Sequence, residues 1–370
     1  MRETLREEQS LPEGVAGSEE ITLEELQLAT RNHGMPLEAL RYDLTPVGLH
    51  YLLIHFDIPW VDEGSWRLTI DGQVSNPCSF RLEELQALPR VSVPVTLECA
   101  GNGRARLTPR PVSQPWLTEA VGTAEWTGTP LQPLLEEAGL QAEAQEVLFT
   151  GLDRGVEGGV EQQYQRSLPL DEALRPEVLL AYEMNGQPLL PQHGFPLRVI
   201  VPGWYGMTHV KWLERVSVLA EPFLGYQQAE AYRITQSQDD PGTPVTRILP
   251  RALMVPPGIP DFFSRTRLVP SAPCLIEGRA WSGWAPIVRV EVSVDGGKTW
   301  QEAELGEPLS AYSWAPWRLT WQPDRLGEHE LLCRAEDASG NRQPVEEHWN
   351  LQGMANNMVQ RVAVLVRGEA

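Results

Sequence analysis

Two spacings of apolar residues run through this chain: one every three to four positions, which marks helices, and strict alternation, which marks strands. The first predicts a helix within ITLEELQLATRNHGMPLEALRY (21–42), ending near Asn32-His33-Gly34. It predicts a short amphipathic helix at FRLEELQAL (80–88) and another at PLQPLLEEAGL (130–140), with a proline to start and a glycine to stop. Alternation predicts a hairpin at WRLTIDGQV (66–74), turning at Asp71-Gly72. VSVPVTLECAGNGR (91–104) reads as a strand running into a glycine-rich loop, and EVLFTGLD (146–153), VLLAYEMNG (178–186) and PLRVIVPGW (196–204) read as strands. Helices and strands mix as far as about residue 220, the pattern of an α+β domain.

The pattern changes after about residue 240. QSQDDPGTPVTR (236–247) reads as a linker. Beyond it nearly everything is strand and turn: VRVEVSVDGGKTWQEAEL (288–305) with a Gly-Gly turn, then WRLTWQP, HELLCRAEDASGNRQP and VQRVAVLV. Short alternating strands at this spacing predict an immunoglobulin-like β-sandwich. The expected organisation is an N-terminal extension over 1–43, an α+β domain over 44–240 and an all-β sandwich over 241–370.

Composition removes several classes of function. Formal net charge is -20 over 370 residues, a poor match to nucleic acid or an anionic membrane surface. An anion would need a locally basic pocket. No apolar run approaches the roughly 20 residues of a membrane span. The first 20 residues are acidic and polar, without an apolar export segment, and read as a flexible tail. Cys78, Cys99, Cys274 and Cys333 are scattered, with no CxxC, zinc or haem spacing. A reduced, cytoplasmic setting is expected.

Candidate chemistry concentrates in a few segments. In VTLECAGNGR (95–104) a strand delivers Cys99 to a loop holding Gly101 and Gly103, with Arg104 and Arg106 following and Arg110 slightly beyond. Glycines let a backbone approach a ligand closely, and nearby positive charge favours thiolate, the form that binds metal. A buried structural cysteine before a turn fits the same residues. QHGFPLRVIVPGWYGMTHVKW (192–212) gathers His193, Arg198, His209 and Lys211, a set suited to phosphate or a pterin, though each alone also suits a solvated surface. GYQQAEAYR (225–233) places Tyr226 and Tyr232 in a polar loop.

Taken together these segments resemble the sulfite oxidase family. LECAGNGR, WLTEAVGTAEWTGTPLQPLLEEAG, VLLAYEMNGQPLLPQHGFPLRVIVPGWYGMTHVKWLERV, VSVDGGKTWQEAEL and WNLQGMANNMVQRVAV stand in family order, and the resemblance covers residues 44–370. It implies an α+β molybdopterin-binding domain of sulfite oxidase type, followed by an immunoglobulin-like dimerisation domain. It implies a molybdenum–molybdopterin cofactor with Cys99 as the metal ligand. His193, Arg198 and Lys211 match cofactor-holding positions, as do Asp153 and His55. Arg104 matches a substrate-pocket arginine, Trp116 a pocket tryptophan and Tyr232 the active-site tyrosine.

The chain departs from the family in the early segment, where Arg-Asn-His is usual. Here it reads Leu53-Ile54-His55, so the arginine is replaced by Leu53, and Gly103 stands where a further arginine follows the cysteine loop. His50 is a candidate to supply part of the lost charge. The Arg31-Asn32-His33 triplet lies at the wrong spacing to serve and is read as coincidence. The resemblance implies oxidation of a small anionic substrate, sulfite first, with a sulfane sulfur, a sulfoxide or nitrate as alternatives. A non-enzymatic binding module is the distant alternative. With no haem motif in the chain, electrons are expected to leave to a separate acceptor such as a basic cytochrome, and the protein to form a homodimer.

Overall fold

The computed structural model describes residues 15–16 and 21–368. Capping residues set the helix limits, as the sequence predicts for the proline and glycine around 131–138. Helix α1 (Leu23–Arg31) starts at a capping box, in which Thr22 Oγ1 accepts from the Glu25 amide at 3.2 Å and Glu25 accepts from the Thr22 amide at 2.8 Å. Helix α2 (Leu82–Gln86) buries Leu82 and Leu85. Helix α3 (Leu131–Ala138) follows Pro130 and closes at Gly139, whose φ of +74 suits a residue without Cβ. Among the described residues no helix is long and apolar enough to cross a membrane.

The first half holds strands β1 (Leu68–Gly72), β2 (Cys78–Phe80), β3 (Val91–Glu98), β4 (Val121–Pro130), β5 (Glu146–Glu157), β6 (Val160–Pro169), β7 (Leu179–Met184), β8 (Arg198–Ile200) and β9 (Leu213–Leu219). One sheet runs β2-β1-β9-β5-β6, with β1 and β9 parallel. A second runs β7-β4-β3 from the edge pair Gln187–Pro188, with β8 also against β7. Helices α2 and α3 press Leu85, Leu131 and Leu135 onto Leu68, Phe149 and Val216, the core under the first sheet.

The second half is a two-sheet sandwich. Strands β10 (Arg251–Met254), β12 (Cys274–Trp281) and β14 (Ala315–Trp321) form one sheet with Glu304–Leu305. Strands β11 (Arg267–Pro270), β16 (Gln360–Arg367), β15 (Gly327–Asp337) and β13 (Ile287–Ser293) form the other, edged by Ile259–Pro260 and Gln301–Glu302. Alternate inward residues such as Ile276, Val290, Trp317, Leu331, Cys333 and Val364 fill the space between them.

Three details differ from the sequence pattern. Asp71 and Gly72 do not form a turn. They continue β1, in register with Ser217 and Val218 of β9, and the chain turns over residues 73–77 before β2. Gly72 owes its place to close approach: a Cβ there would lie 2.1 Å from the Val218 carbonyl oxygen. The segment read as a linker is packed. Arg233–Ile234 pairs with Thr243–Pro244, Val245 is buried, and Arg247 bonds the Glu172 carboxylate. The third detail concerns residues before 44. Met35, Ala39 and Leu40 join Tyr205 and Met207 of the first half and Trp281 and Trp314 of the second in one apolar cluster. Apart from Val15–Ala16, which pairs with Arg110–Pro111, the segment read as a flexible tail lies outside the described residues.

Candidate functional site

Strand β3 ends at Glu98, and the next residue, Cys99, opens the glycine loop. The loop is held by its own polar groups. The Cys99 amide donates to the Ala120 carbonyl at 2.9 Å, and the Asn102 amide donates back to the Cys99 carbonyl at 3.0 Å. Asn102 Nδ2 donates to Glu98 and to the Thr118 carbonyl, and its Oδ1 accepts from the Ala120 amide. Gly101 leaves room for Arg104 to fold back: a Cβ would lie 2.8 Å from the Arg104 Cζ. Cys99 is 6 % exposed, packed against Trp116 and Ala120. Burial pushes its pKa up, while Arg104, the Gly101 backbone and Trp116 pull the other way. The Trp116 indole N–H makes no well-formed hydrogen bond, so its pull on the thiol is that of a nearby dipole.

Cys99 faces a cavity that collects most of the residues singled out in the sequence: His55, Asp153, His193, Arg198, Lys211 and Tyr232 line it. They arrive from separate parts of the fold. Arg198 begins β8, and its Nη atoms donate to the carbonyls of His193 and His209 at 3.0 and 3.2 Å. Its Nε–H is buried without a partner, its Cζ stands 4.7 Å from the Trp126 ring centroid, and burial lowers its pKa to about 10. Lys211 Nζ donates to the carbonyls of Leu53 and Gln192 at 2.8 and 3.2 Å. Asp153 Oδ1 is buried and unpartnered. Burial pushes the Asp153 carboxyl up and the Lys211 ammonium down. Tyr232 OH lies 2.7 Å from His55 Nε2.

Arg104 and Trp116 stand on the loop side of the thiol rather than in the cavity wall. Arg104 is buried, with Nη1 2.6 Å from Ser113 Oγ, Nη2 3.3 Å from Met354 Sδ and Nε unpartnered. Arg110 turns away to the Glu25 carboxylate of α1 at 2.7 Å, and Arg106 is exposed. His209 is a structural latch: its Nδ1 accepts from the Val201 amide and its Nε2 faces the Trp204 carbonyl, each at 3.0 Å. His50 does not supply the charge absent at Leu53. Its ring is buried over Gly122, where a Cβ would lie 2.6 Å from Cδ2, and burial lowers its pKa to about 4, so it is neutral near pH 7. The Arg31-Asn32-His33 triplet is near the early segment but outside the cavity. Asn32 Oδ1 accepts from the Ile54 amide at 2.7 Å, and Arg31 pairs with Asp57 at the surface.

The histidines make a testable feature. Burial holds His50 and His55 at about 4, His209 at about 3 and His193 at about 2, all below the unfolded value of 6.5. As pH falls below 6.5 the unfolded chain takes up protons that the folded one refuses until near pH 4. The unfolded state then binds more protons, so stability present above pH 6.5 is lost on the way to pH 4. Asp153, raised by burial, acts in the opposite sense, but it is one group against four. Urea unfolding of cofactor-free protein is expected to show this loss between pH 6.5 and 4. A flat profile there would contradict the burial of these rings.

The donor set fits a pterin with its phosphate. Arg198, His50 and Asp153 keep buried polar atoms without partners around the cavity, and the thiol stands at its wall. The family model for the oxidoreductase molybdopterin binding domain matches residues 55–227, and that for the Mo-co oxidoreductase dimerisation domain matches 264–367. The chain is 39% identical over 329 residues to sulfite oxidase of Gallus gallus, covering 84% of this chain and 71% of that protein. The chain belongs to the sulfite oxidase family. It is also 40% identical to the mitochondrial sulfite oxidase of Mus musculus over 87% of its length, and it spans 62% of that protein. Among solved structures, the sulfane dehydrogenase SoxCD of Paracoccus pantotrophus matches with a TM-score of 0.77 and 26% identity, covering 90% of this chain and 86% of that one.

In this sulfite oxidase family member, several pocket neighbours escaped the sequence reading. Tyr51 and Tyr164 line the same cavity. Arg166 lies over the Tyr232 ring, and Met354 reaches Arg104 from the second half. Tyr164 and Arg166 stand two apart on β6, so the strand period could have paired them on one inward face. Tyr51 and Met354 carry no such signal, because only tertiary packing brings them near.

Proposed function

We propose that this protein oxidises sulfite to sulfate with a molybdenum–molybdopterin cofactor and passes the electrons to a separate acceptor. The observation that carries this reading is the buried Cys99 thiol in the wall of a cavity that also gathers Arg198, Lys211 and unpartnered polar atoms. The bound cofactor supplies two-electron oxo transfer. In this reading Cys99 is the soft protein ligand to the metal. Arg198 and Lys211 hold the phosphate end, and His55, His193 and Asp153 contact the pterin. Arg104, with a free Nε–H, and the Trp116 indole offer a preorganised site for an oxyanion. Tyr232 offers a hydroxyl that the neutral His55 ring orients by a hydrogen bond at 2.7 Å, and burial keeps that hydroxyl protonated. The dimerisation domain supports a homodimer.

A second reading rests on Leu53. An apolar residue replaces a cation at the pocket, which suits a less charged substrate such as a sulfane sulfur or a sulfoxide; nitrate is a further candidate. Metal analysis and a visible spectrum of the purified protein separate these readings. About one molybdenum per chain, with the absorbance bleached by sulfite, is expected. Molybdenum without bleaching moves the assignment to the other substrates. Absence of molybdenum after expression in a host that makes the cofactor would refute the cofactor assignment.

A further inference from the structure

We propose that Arg166 is a positioning residue for Tyr232, an inference that rests on the function proposed above. Arg166 lies on β6 and is 2 % exposed. Its Cζ stands 5.5 Å from the Tyr232 ring centroid, within cation–π range. Its Nη1 donates to the carbonyl of Gln227, the first residue of a π-helical turn, Gln227–Ala231, that delivers Tyr232. Such turns are rare and recur at functional sites.

Arg166 shares with Arg104 and Arg198 a lack of compensation. Its Nε–H has no acceptor, and among the described residues no carboxylate lies within ion-pair distance of it. A buried guanidinium without a counter-ion destabilises a fold, and an apolar side chain of similar volume would fill the space without that cost. Residues that break local rules in this way cluster where function needs them.

The geometry gives the charge a use. The Tyr232 hydroxyl is fixed by His55 at 2.7 Å, and the His55 ring is itself supported by Tyr164 at 5.0 Å between centroids. Arg166 fixes the remaining freedom, the tilt of the ring, and anchors the turn that carries it. A cation on the ring face also draws density from the phenol and makes its O–H a better donor. Arg104 and Arg166 thus place two cations around Tyr232, in a pocket that has Leu53 where its relatives' pattern has arginine.

The test uses Arg166→Met and Arg166→Lys in the wild-type and Tyr232→Phe backgrounds of the cofactor-loaded protein. Sulfite turnover is measured with an artificial one-electron acceptor. Arg166→Met is expected to lower kcat on the order of 10- to 100-fold, the scale of ångström misplacement, with a much smaller change in KM. Arg166→Lys should recover part of this. In the Tyr232→Phe background Arg166→Met should add little, because the two act as a unit. The melting temperature should not fall. Equal losses in both backgrounds would overturn the proposal.

A second arm is independent of turnover. In cofactor-free protein carrying 3-fluorotyrosine, the fluorine resonance missing from Tyr232→Phe identifies Tyr232. Arg166→Met is expected to shift and broaden it, and Arg166→Lys to do so less. An unmoved resonance overturns the proposal. If sulfite is not turned over, the proposed reaction fails while this arm still decides the role of Arg166. Should Arg166→Met not fold, Arg166→Gln, which keeps a donor without the charge, takes its place in both arms.

Discussion

Cys99→Ser is expected to leave a folded protein that retains little molybdenum and turns over sulfite more than about 100-fold slower, beyond the cost of losing an outer partner of a metal ligand. The change replaces one atom, sulfur by oxygen. The hydrogen bonds that shape the loop use the Cys99 backbone, to Ala120 and Asn102, and they survive. The small apolar contact with Trp116 and Ala120 survives as well. What disappears is a soft, polarisable donor where a soft metal is to be held. A serine hydroxyl, buried in the same place, deprotonates far less readily than a thiol. Metal content, turnover and urea unfolding should be measured together. Full molybdenum with wild-type turnover would remove Cys99 from the site, and a large loss of stability would mean that its role is structural.

The largest effect on stability is expected one residue earlier. Glu98 is fully buried and holds three partners: Asn102 Nδ2 at 3.0 Å, Trp281 Nε1 at 2.8 Å and Arg251 Nε at 2.7 Å. The Arg251 contact is an ion pair without a well-aligned N–H. Arg251 is 1 % exposed, and its Nη2 reaches the carbonyls of Asn102 and Asn356. Glu98→Gln keeps the shape and removes the charge, leaving a buried guanidinium without its counter-ion. Removing one partner of such a pair costs about 3–5 kcal/mol. Urea unfolding should show that loss. Adding Arg251→Met to Glu98→Gln should recover part of it, because the isolated charge is then gone while the amide still accepts from Asn102 or Trp281. A Glu98→Gln protein within about 1 kcal/mol of wild type would show that the pair contributes only what an exposed one does.

Local rules were enough where a feature depends on near neighbours in sequence. Pro130 and Gly139 bracket α3, the first helix ends near Asn32 as its pattern implies, and the strand into Cys99 runs into its glycine loop. The cavity-lining set was legible because His193, Arg198 and Lys211 are close in the chain and stand in one long motif. Failures have a common physical origin in distant contacts. Gly72 signals a turn by composition, yet it serves close passage of β9. His50 reads as a source of charge until burial makes it neutral. Arg166 reads as one more polar position in a strand, and only the fold places it over Tyr232. The linker composition is real, but Arg247 and Val245 fasten that segment to both halves.

The loop that carries Cys99 is also closed from far downstream. The Ala355 amide donates to the Ala100 carbonyl at 2.7 Å, and Asn356 Nδ2 to the Gly103 carbonyl at 2.8 Å. Met354 meets Arg104 across 250 residues of sequence. During synthesis the thiol therefore emerges from the ribosome long before its loop can be completed. Loops closed across such separations form late in folding, since the chain entropy must be lost before the contacts are gained. A protease or a thiol reagent acting on nascent chains is expected to meet Cys99 unprotected until residues 354–356 have been made.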